Sequence, residues 1–298
     1  MSLSVEVDHL TLRYGDTVAV DDLSLRLPGG KIYGLLGRNG SGKTSVLSIV
    51  SAFRRATSGA VRVEGAEPFE NAAITRQICF VRDRVDAQDS DCVRKVLRLA
   101  RTLRPNWDED YARELIDRFD LPLKKRVGAL SRGAKSALSV TLGLAARAPL
   151  TIFDEAYLGM DAPSRYAFYE ELLNDYIAHP RTVIVSTHLI EEVGSLFEEV
   201  VILDHGRLIA HEETETLRSR GVAVTGLVDQ VDTFLSQLSV AGHTVLGEQR
   251  LGRTKSTTIY GQLDDDQRGK ARAAGLDLGP VSLQDLFVHL TAAAEASR

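Results

Sequence analysis

The chain has 298 residues, 44% of them apolar and 26% charged, with a formal net charge of −5 and two cysteines. That length exceeds one ordinary compact domain, so one large core and a smaller appended unit are expected. A mildly acidic balance without a long basic run argues against a general nucleic-acid binder, and Cys79 and Cys92, outside any C-x-x-C spacing, fit structural thiols in a reducing compartment.

From the N-terminus, Val5–Tyr14, Asp21–Leu27 and Lys31–Leu36 read as strands, with Pro28-Gly29-Gly30 turning between the last two. The first residues, Met1 to Val7, alternate like an edge strand and lack the basic and apolar regions of a secretion signal, so a cytoplasmic location is expected. Directly after the third strand, Gly37-Arg38-Asn39-Gly40-Ser41-Gly42-Lys43-Thr44 reads G-x-x-x-x-G-K-T. Gly37, Gly40 and Gly42 let the backbone turn its amides inward onto phosphate oxygens, and a helix from Ser45 to Val50 adds the favourable end of its dipole. Lys43 supplies a point charge for the outer phosphates of a nucleoside triphosphate, and Thr44 offers a hydroxyl to Mg²⁺.

From Asp91 to Ala146 the pattern turns helical. Val93, Val96, Leu97 and Leu99 mark one helix; Tyr111, Leu115 and Phe119 mark a second, which Pro122 stops. The longest apolar stretch, Ala137–Ala146, falls well short of the ~18 residues that a membrane span requires. Apolar strands return at Leu150–Phe153 and Thr182–Ser186 around a helical segment, the alternation of a parallel sheet with crossover helices. Val200–Asp204 and Arg207–His211 read as a closing hairpin. Past Arg220 the pattern weakens to β-α-β-β-α-β: Val222–Val228, Asp229–Leu238, Thr244–Gln249, Ser256–Leu263, Asp264–Ala274 and Asp277–Val281, then a terminal helix Leu283–Ala294. The expected division is a nucleotide-binding domain over 1–220, with a helical subdomain at about 84–149, and an accessory domain over 221–298 for which a ferredoxin-like arrangement is one option.

Asp154-Glu155 ends the strand Leu150–Phe153 and supplies the two carboxylates a phosphate cradle needs. Asp154 would hold Mg²⁺, directly or through water, and Glu155 would polarise the attacking water. Without the cradle, such a pair caps a helix about as often.

Three further segments carry a family resemblance. Leu130-Ser131-Arg132-Gly133-Ala134-Lys135 resembles the signature motif of ABC ATPases, Leu158-Gly159-Met160-Asp161 the D-loop, and Ser186-Thr187-His188 the switch-histidine segment. With the cradle and Asp154-Glu155 they stand in the order of ABC ATPase domains, a resemblance covering roughly residues 2–212. It implies an α/β fold: a P-loop ABC ATPase domain with a β-rich N-terminal lobe, a parallel core sheet and a helical subdomain, followed by a small α+β C-terminal domain. It also implies ATP and Mg²⁺ as cofactors, Tyr14 stacking on adenine, and Arg38, Asn39, Ser41 and Ser45 completing the phosphate loop. The family's head-to-tail dimer would enclose ATP between Lys43, Thr44, Asp154, Glu155 and His188 of one subunit and Ser131 of a second, identical or related, ATPase subunit. Gly133 and Asp161 join the nucleotide-binding set by the same resemblance.

Departures are equally specific. Arg132 replaces the usual second glycine of the signature. Ala156-Tyr157 replaces Pro-Thr, an exchange expected to be tolerated because neither side chain carries the chemistry. Asp83 takes the usual glutamine position, which shifts its expected role toward the metal. Leu103-Arg104-Pro105-Asn106-Trp107-Asp108, the Asp-Glu-Ala-Tyr variant and Pro280–Phe287 are similar to bacterial exporter-type subunits, which implies a motor at the inner face of the cell membrane energising a separate transmembrane permease. Two alternatives remain at this stage: an ABC ATPase acting in translation or DNA maintenance, and a nucleotide-sensing member of a heterodimer.

Overall fold

The computed structural model describes residues 2–85, 87–238 and 243–296. Two compact units divide the chain, one formed by Met1–His188 with Ser195–His211, the other by Leu189–Gly194 with Glu212–Arg298.

In the first unit, β1 (Val5–Tyr14) and β2 (Thr17–Leu27) make a hairpin, and β3 (Ile32–Leu36) leads into α1 (Lys43–Val50). Next come β4 (Ser58–Val63), the short α2 (Ala72–Thr75) and β5 (Ile78–Arg82). Three helices follow, α3 (Val93–Leu103), α4 (Glu109–Arg118) and α5 (Arg132–Ala145). Then β6 (Leu150–Asp154), α6 (Ala162–Ala178) and β7 (Thr182–Thr187) restore the α/β alternation. After α7 (Ile190–Val193), which belongs to the second unit, β8 (Glu199–Asp204) and β9 (Arg207–Glu213) are joined by His205 and Gly206. Both turn residues have positive φ, 47° and 79°, the signature of a tight hairpin turn.

An antiparallel sheet of order β2-β1-β4 lies beside a six-stranded sheet of order β5-β6-β7-β3-β8-β9. β2 begins four residues before its expected start because Tyr14 pairs with Thr17 and draws the whole hairpin into register. β4 escaped the sequence reading: only its last residues alternate, and Gly59, at φ 82°, lies so close to β1 that a Cβ there would stand 2.2 Å from the His9 carbonyl. β3, β6 and β7 are buried at every residue, as parallel strands covered on both faces must be.

The helical segment is fastened by charge as well as by packing. Asp108 caps α4, its Oδ1 accepting from the Tyr111 amide at 2.8 Å, while its other oxygen pairs with Arg147 beyond the end of α5. Arg147 reaches on to Asp175 of α6 (3.1 Å), and Asp175, almost wholly buried, also pairs with Arg181 at the start of β7 (2.7 Å).

The second unit adds α8 (Thr214–Ser219), β10 (Gly221–Leu227), α9 (Val228–Leu238), β11 (Thr244–Leu251), β12 (Thr254–Tyr260), α10 (Asp265–Ala273), β13 (Asp277–Pro280) and α11 (Leu283–Ala296). Its strand order is β11-β12-β10-β13 with every neighbour antiparallel, a split β-α-β arrangement. Val222, Val224, Val231, Phe234, Ile259 and Leu276 form its core. β12 stops at Tyr260, three residues before its expected end, because Gly261 turns to φ 138°. Within this unit α7 and α8 pack against α11, where a Cβ on Gly194 would approach Leu283 to 3.2 Å.

Candidate active site

Three adjacent parallel strands, β6, β7 and β3, end side by side, and each hands its next residues to the same place. After β3 comes the glycine-rich loop. A Cβ on Gly37 would meet Ser41 Oγ at 2.2 Å and the Leu203 carbonyl at 2.7 Å; Gly42, at φ 100°, has the Ala19 carbonyl 2.5 Å from where a Cβ would stand. No side chain caps α1, so its first amides remain available to an external acceptor. Arg38, Asn39 and Gly40 form the exposed outer turn, Thr44 is exposed and Ser45 half-buried.

Lys43 is buried, its Nζ donating to the Gly37 and Arg38 carbonyls at 2.7 and 3.1 Å and lying 3.6 Å from Glu155 Oε1. Burial lowers its pKa from the ordinary lysine value, against the raising influence of Glu155 and Asp154. A cation held by its own loop's carbonyls is ready to exchange them for stronger, anionic acceptors.

Asp154 ends β6, and burial pushes its carboxyl above the ordinary value, a shift opposed by the hydroxyls of Ser186 and Thr44. Its Oδ1 and the Ser41 hydroxyl are buried without a hydrogen-bond partner. A buried carboxylate with an unused oxygen, next to a threonine hydroxyl and a phosphate cradle, fits Mg²⁺. That ion takes one or two protein oxygens and fills its shell with water and phosphate. Among the described residues no cluster of three or more His, Cys, Asp or Glu side chains offers an alternative metal site. Asp83 is exposed, one residue past the Arg82–Asp154 pair of the β5–β6 ladder.

Glu155 follows at φ 51°, a left-handed conformation that costs a non-glycine residue about 1 kcal/mol or more. Its amide donates to the Ser186 carbonyl (3.2 Å), and Oε1 lies 3.1 Å from His188 Nδ1. The carboxylate therefore stands between Lys43 and His188.

The other anticipated residues form a second group. Ser131 caps α5, its Oγ accepting from the Ala134 amide at 3.2 Å, and Asp161 caps α6 by accepting from the Ser164 amide at 3.0 Å; the Ser164 hydroxyl first, and then this amide, lower the Asp161 pKa. They are linked through Gly159, where a Cβ would come within 2.7 Å of the Arg132 carbonyl, while a Cβ on Gly133 would be 3.1 Å from the Gly159 carbonyl. Arg132 itself is exposed, so the signature helix accommodates it in place of glycine. Tyr14, 42% exposed, carries the Arg54 guanidinium 4.6 Å over its ring and holds Ser45 Oγ at 3.4 Å through its hydroxyl. Nothing in the local sequence announced Arg54.

Tyr157 is the residue the sequence reading undervalued. It is fully buried among Phe168 and Tyr169, and its hydroxyl donates to Thr187 Oγ1, next to His188. The one available signal was the departure from Pro-Thr.

Comparison with known proteins finds similarity to ABC transporter ATP-binding proteins. The profile described as ABC transporter matches residues 20–158. The daunorubicin resistance ATP-binding protein DrrA3 of Streptomyces coeruleorubidus is 27% identical over 97% of this chain and 96% of its own length. The Nod factor export ATP-binding protein I of Rhizobium meliloti is 30% identical over 72% of this chain and 66% of its own length. Among solved structures, an ATP-binding subunit of an ABC transporter superposes with a TM-score of 0.65 at 23% identity, covering 72% of this chain and 91% of that one.

Proposed function

We propose, for a chain that belongs to the ABC transporter family as an ATP-binding ATPase subunit, that it is the motor of an exporter and drives a separate transmembrane permease. The carrying observation is the convergence of Lys43, Glu155 and His188 at the ends of three buried parallel strands, beside the unpartnered oxygen of Asp154.

The loop amides of residues 37–44 and the start of α1 bind the phosphates of ATP, with Lys43 exchanging its carbonyl partners for the outer phosphate oxygens. Thr44 and Asp154 would hold Mg²⁺, with Asp83 on the metal side, and the ion would neutralise phosphate charge. Glu155, kept in place by the Ser186 carbonyl and by His188, accepts the proton of the attacking water. Tyr14, stiffened by Arg54, offers a ring for the base. Ser131 and Gly133, at the exposed N-terminus of α5, would face the nucleotide of a second ATPase subunit together with Asp161, so that hydrolysis depends on association.

The permease is assigned to a groove of about 310 Å³ in the first unit. Phe53, Leu99 and Leu103 are exposed there, with Arg82, Arg84 and Arg104 around them, so an apolar cytoplasmic segment bearing acidic residues is the complementary occupant. No helix among the described residues is long and apolar enough to cross a membrane. Export, as in the name of the Nod factor relative, is the direction this reading adopts.

Two measurements test it. Glu155→Gln keeps the shape of the site but removes its base, so turnover is expected to fall about 10²-fold or more, roughly 3 kcal/mol of barrier, with ATP binding retained. Wild-type turnover would exclude Glu155 as the base. Leu103→Glu, at the rim of the groove, is expected to abolish co-purification with the membrane protein while leaving ATP affinity unchanged; undiminished capture would move the docking surface elsewhere.

A further inference from the structure

We infer that Tyr157 is a positioning residue for hydrolysis, setting His188 against Glu155 through Thr187; this rests on the roles assigned above to Glu155 and His188. Beyond the last β6–β7 pair, Asp154 with Ser186, residues 155–157 leave their strand beside residues 186–188, of which Thr187 still pairs with Leu36 of β3. Three bonds then join them. The Glu155 amide donates to the Ser186 carbonyl (3.2 Å), Tyr157 Oη donates to Thr187 Oγ1, and His188 Nδ1 lies 3.1 Å from Glu155 Oε1.

These links differ in strength. The His188–Glu155 pair is partly solvated, with the two side chains 36% and 22% exposed, and an interaction so placed holds geometry weakly. Glu155 also sits at φ 51°, a backbone state that neighbouring contacts must maintain. The Tyr157–Thr187 bond, by contrast, joins two side chains with no solvent exposure. Depriving a buried hydroxyl of its partner is costly, which makes this bond firmer than the solvated His188–Glu155 pair. Tyr157 is itself fixed, its ring lying nearly parallel to Phe168 (27°, centroids 5.8 Å apart) and edge-on to Tyr169 (79°, 5.4 Å). Position is thus passed from the aromatic core of α6, through one hydroxyl, to the residue preceding His188.

The phosphate-binding atoms lie on a different element, between β3 and α1, so loss of the bond is expected to act on turnover rather than on ATP affinity. Reaction rates respond steeply to such displacement, about 10²-fold for 1 Å, and a loosened pair should lose part of that.

The test is made on the full chain with Mg-ATP. Tyr157→Phe keeps the ring and removes the donor; Thr187→Val keeps the shape and removes the acceptor. Each is expected to lower kcat about 5- to 20-fold with the KM for ATP within about twofold of wild type, and to shift the His188 imidazole ¹⁵N resonances. The double variant is expected to be no worse than either single variant, and Thr187→Ser to restore turnover. If one single variant fails to fold, the other decides, since each removes one end of the same bond.

Unchanged kcat in the folded variants, additive losses in the double variant, or a rise in KM matching the fall in turnover would overturn the linkage. His188→Ala, measured in parallel, separates the two readings. Full turnover in that variant removes the role of His188 and the linkage with it, whereas an inactive His188→Ala beside a fully active Tyr157→Phe removes the linkage alone.

Discussion

The two compact units solve the same burial problem differently. In the first, β3, β6 and β7 are covered on both faces and allow no slippage, so Lys43, Glu155 and His188 emerge from them in one place. In the second, an antiparallel sheet buries alternate residues of β12 and leaves most of β11 exposed. Its α10 carries its own reciprocal cap, between Asp264 and Gln267. Full burial of parallel strands fixes the position of whatever follows them, at the price of leaving little room for error; half-buried antiparallel strands give stability without dictating one site. At the strand ends of the first unit this leaves Glu155 with positive φ beside an Asp154 oxygen that has no hydrogen-bond partner.

The contrast is sharpest at Asp175. It is buried with Arg147 and Arg181, and removing one member of such a network leaves uncompensated charge. Asp175→Ala is expected to destabilise the first unit by about 3–5 kcal/mol, read as a lowered denaturation midpoint. A change below ~1 kcal/mol would show that the helical segment is held by apolar packing alone.

Leu276→Ala probes the other side. Leu276 fills the core of the second unit against Gly226, and its truncation is expected to cost about 2–3 kcal/mol there. With two separate cores, a calorimetric scan should show one transition moving while ATP turnover persists. A single shifted transition, or lost turnover, would break the comparison and make the second unit part of the catalytic machinery. Its claim on Leu189–Gly194, immediately after His188, is where such a dependence would start.

The smallest expected effect concerns charge. Burial raises the Asp154 pKa, so the folded chain binds that proton more tightly than the unfolded chain does. The associated stability is complete below the ordinary carboxylate range and is lost as pH rises through the raised value. Asp154→Asn should remove this pH dependence and, without nucleotide, raise the melting temperature at neutral pH by a few degrees, about 1 kcal/mol, while abolishing stabilisation by Mg-ATP. Asp83→Ala, if Asp83 serves the metal, raises the Mg²⁺ concentration for half-maximal turnover. An unaltered Mg²⁺ requirement in both variants would remove the carboxylates from the metal site.

Much of this was legible in the chain. The glycine-rich loop is a local signal, residue types at fixed spacing after an apolar strand; Asp154-Glu155 took its meaning from that cradle, and His188 from the resemblance in motif order to ABC ATPase domains. Strands buried on both faces announce themselves as continuous apolar runs, which is why Leu150–Phe153 and Thr182–Ser186 were found. Other features arise only when distant residues meet. β4 is a strand because β1 pairs with it, Arg54 matters because its guanidinium folds over Tyr14, and Asp175 because the segments after α5 and before β7 each deliver an arginine to it. Tyr157 shows the boundary between the two. Its replacement of threonine was visible in the sequence, but its partner is thirty positions away, and only the parallel pairing of β6 with β7 brings its hydroxyl to Thr187 and gives it a place beside His188.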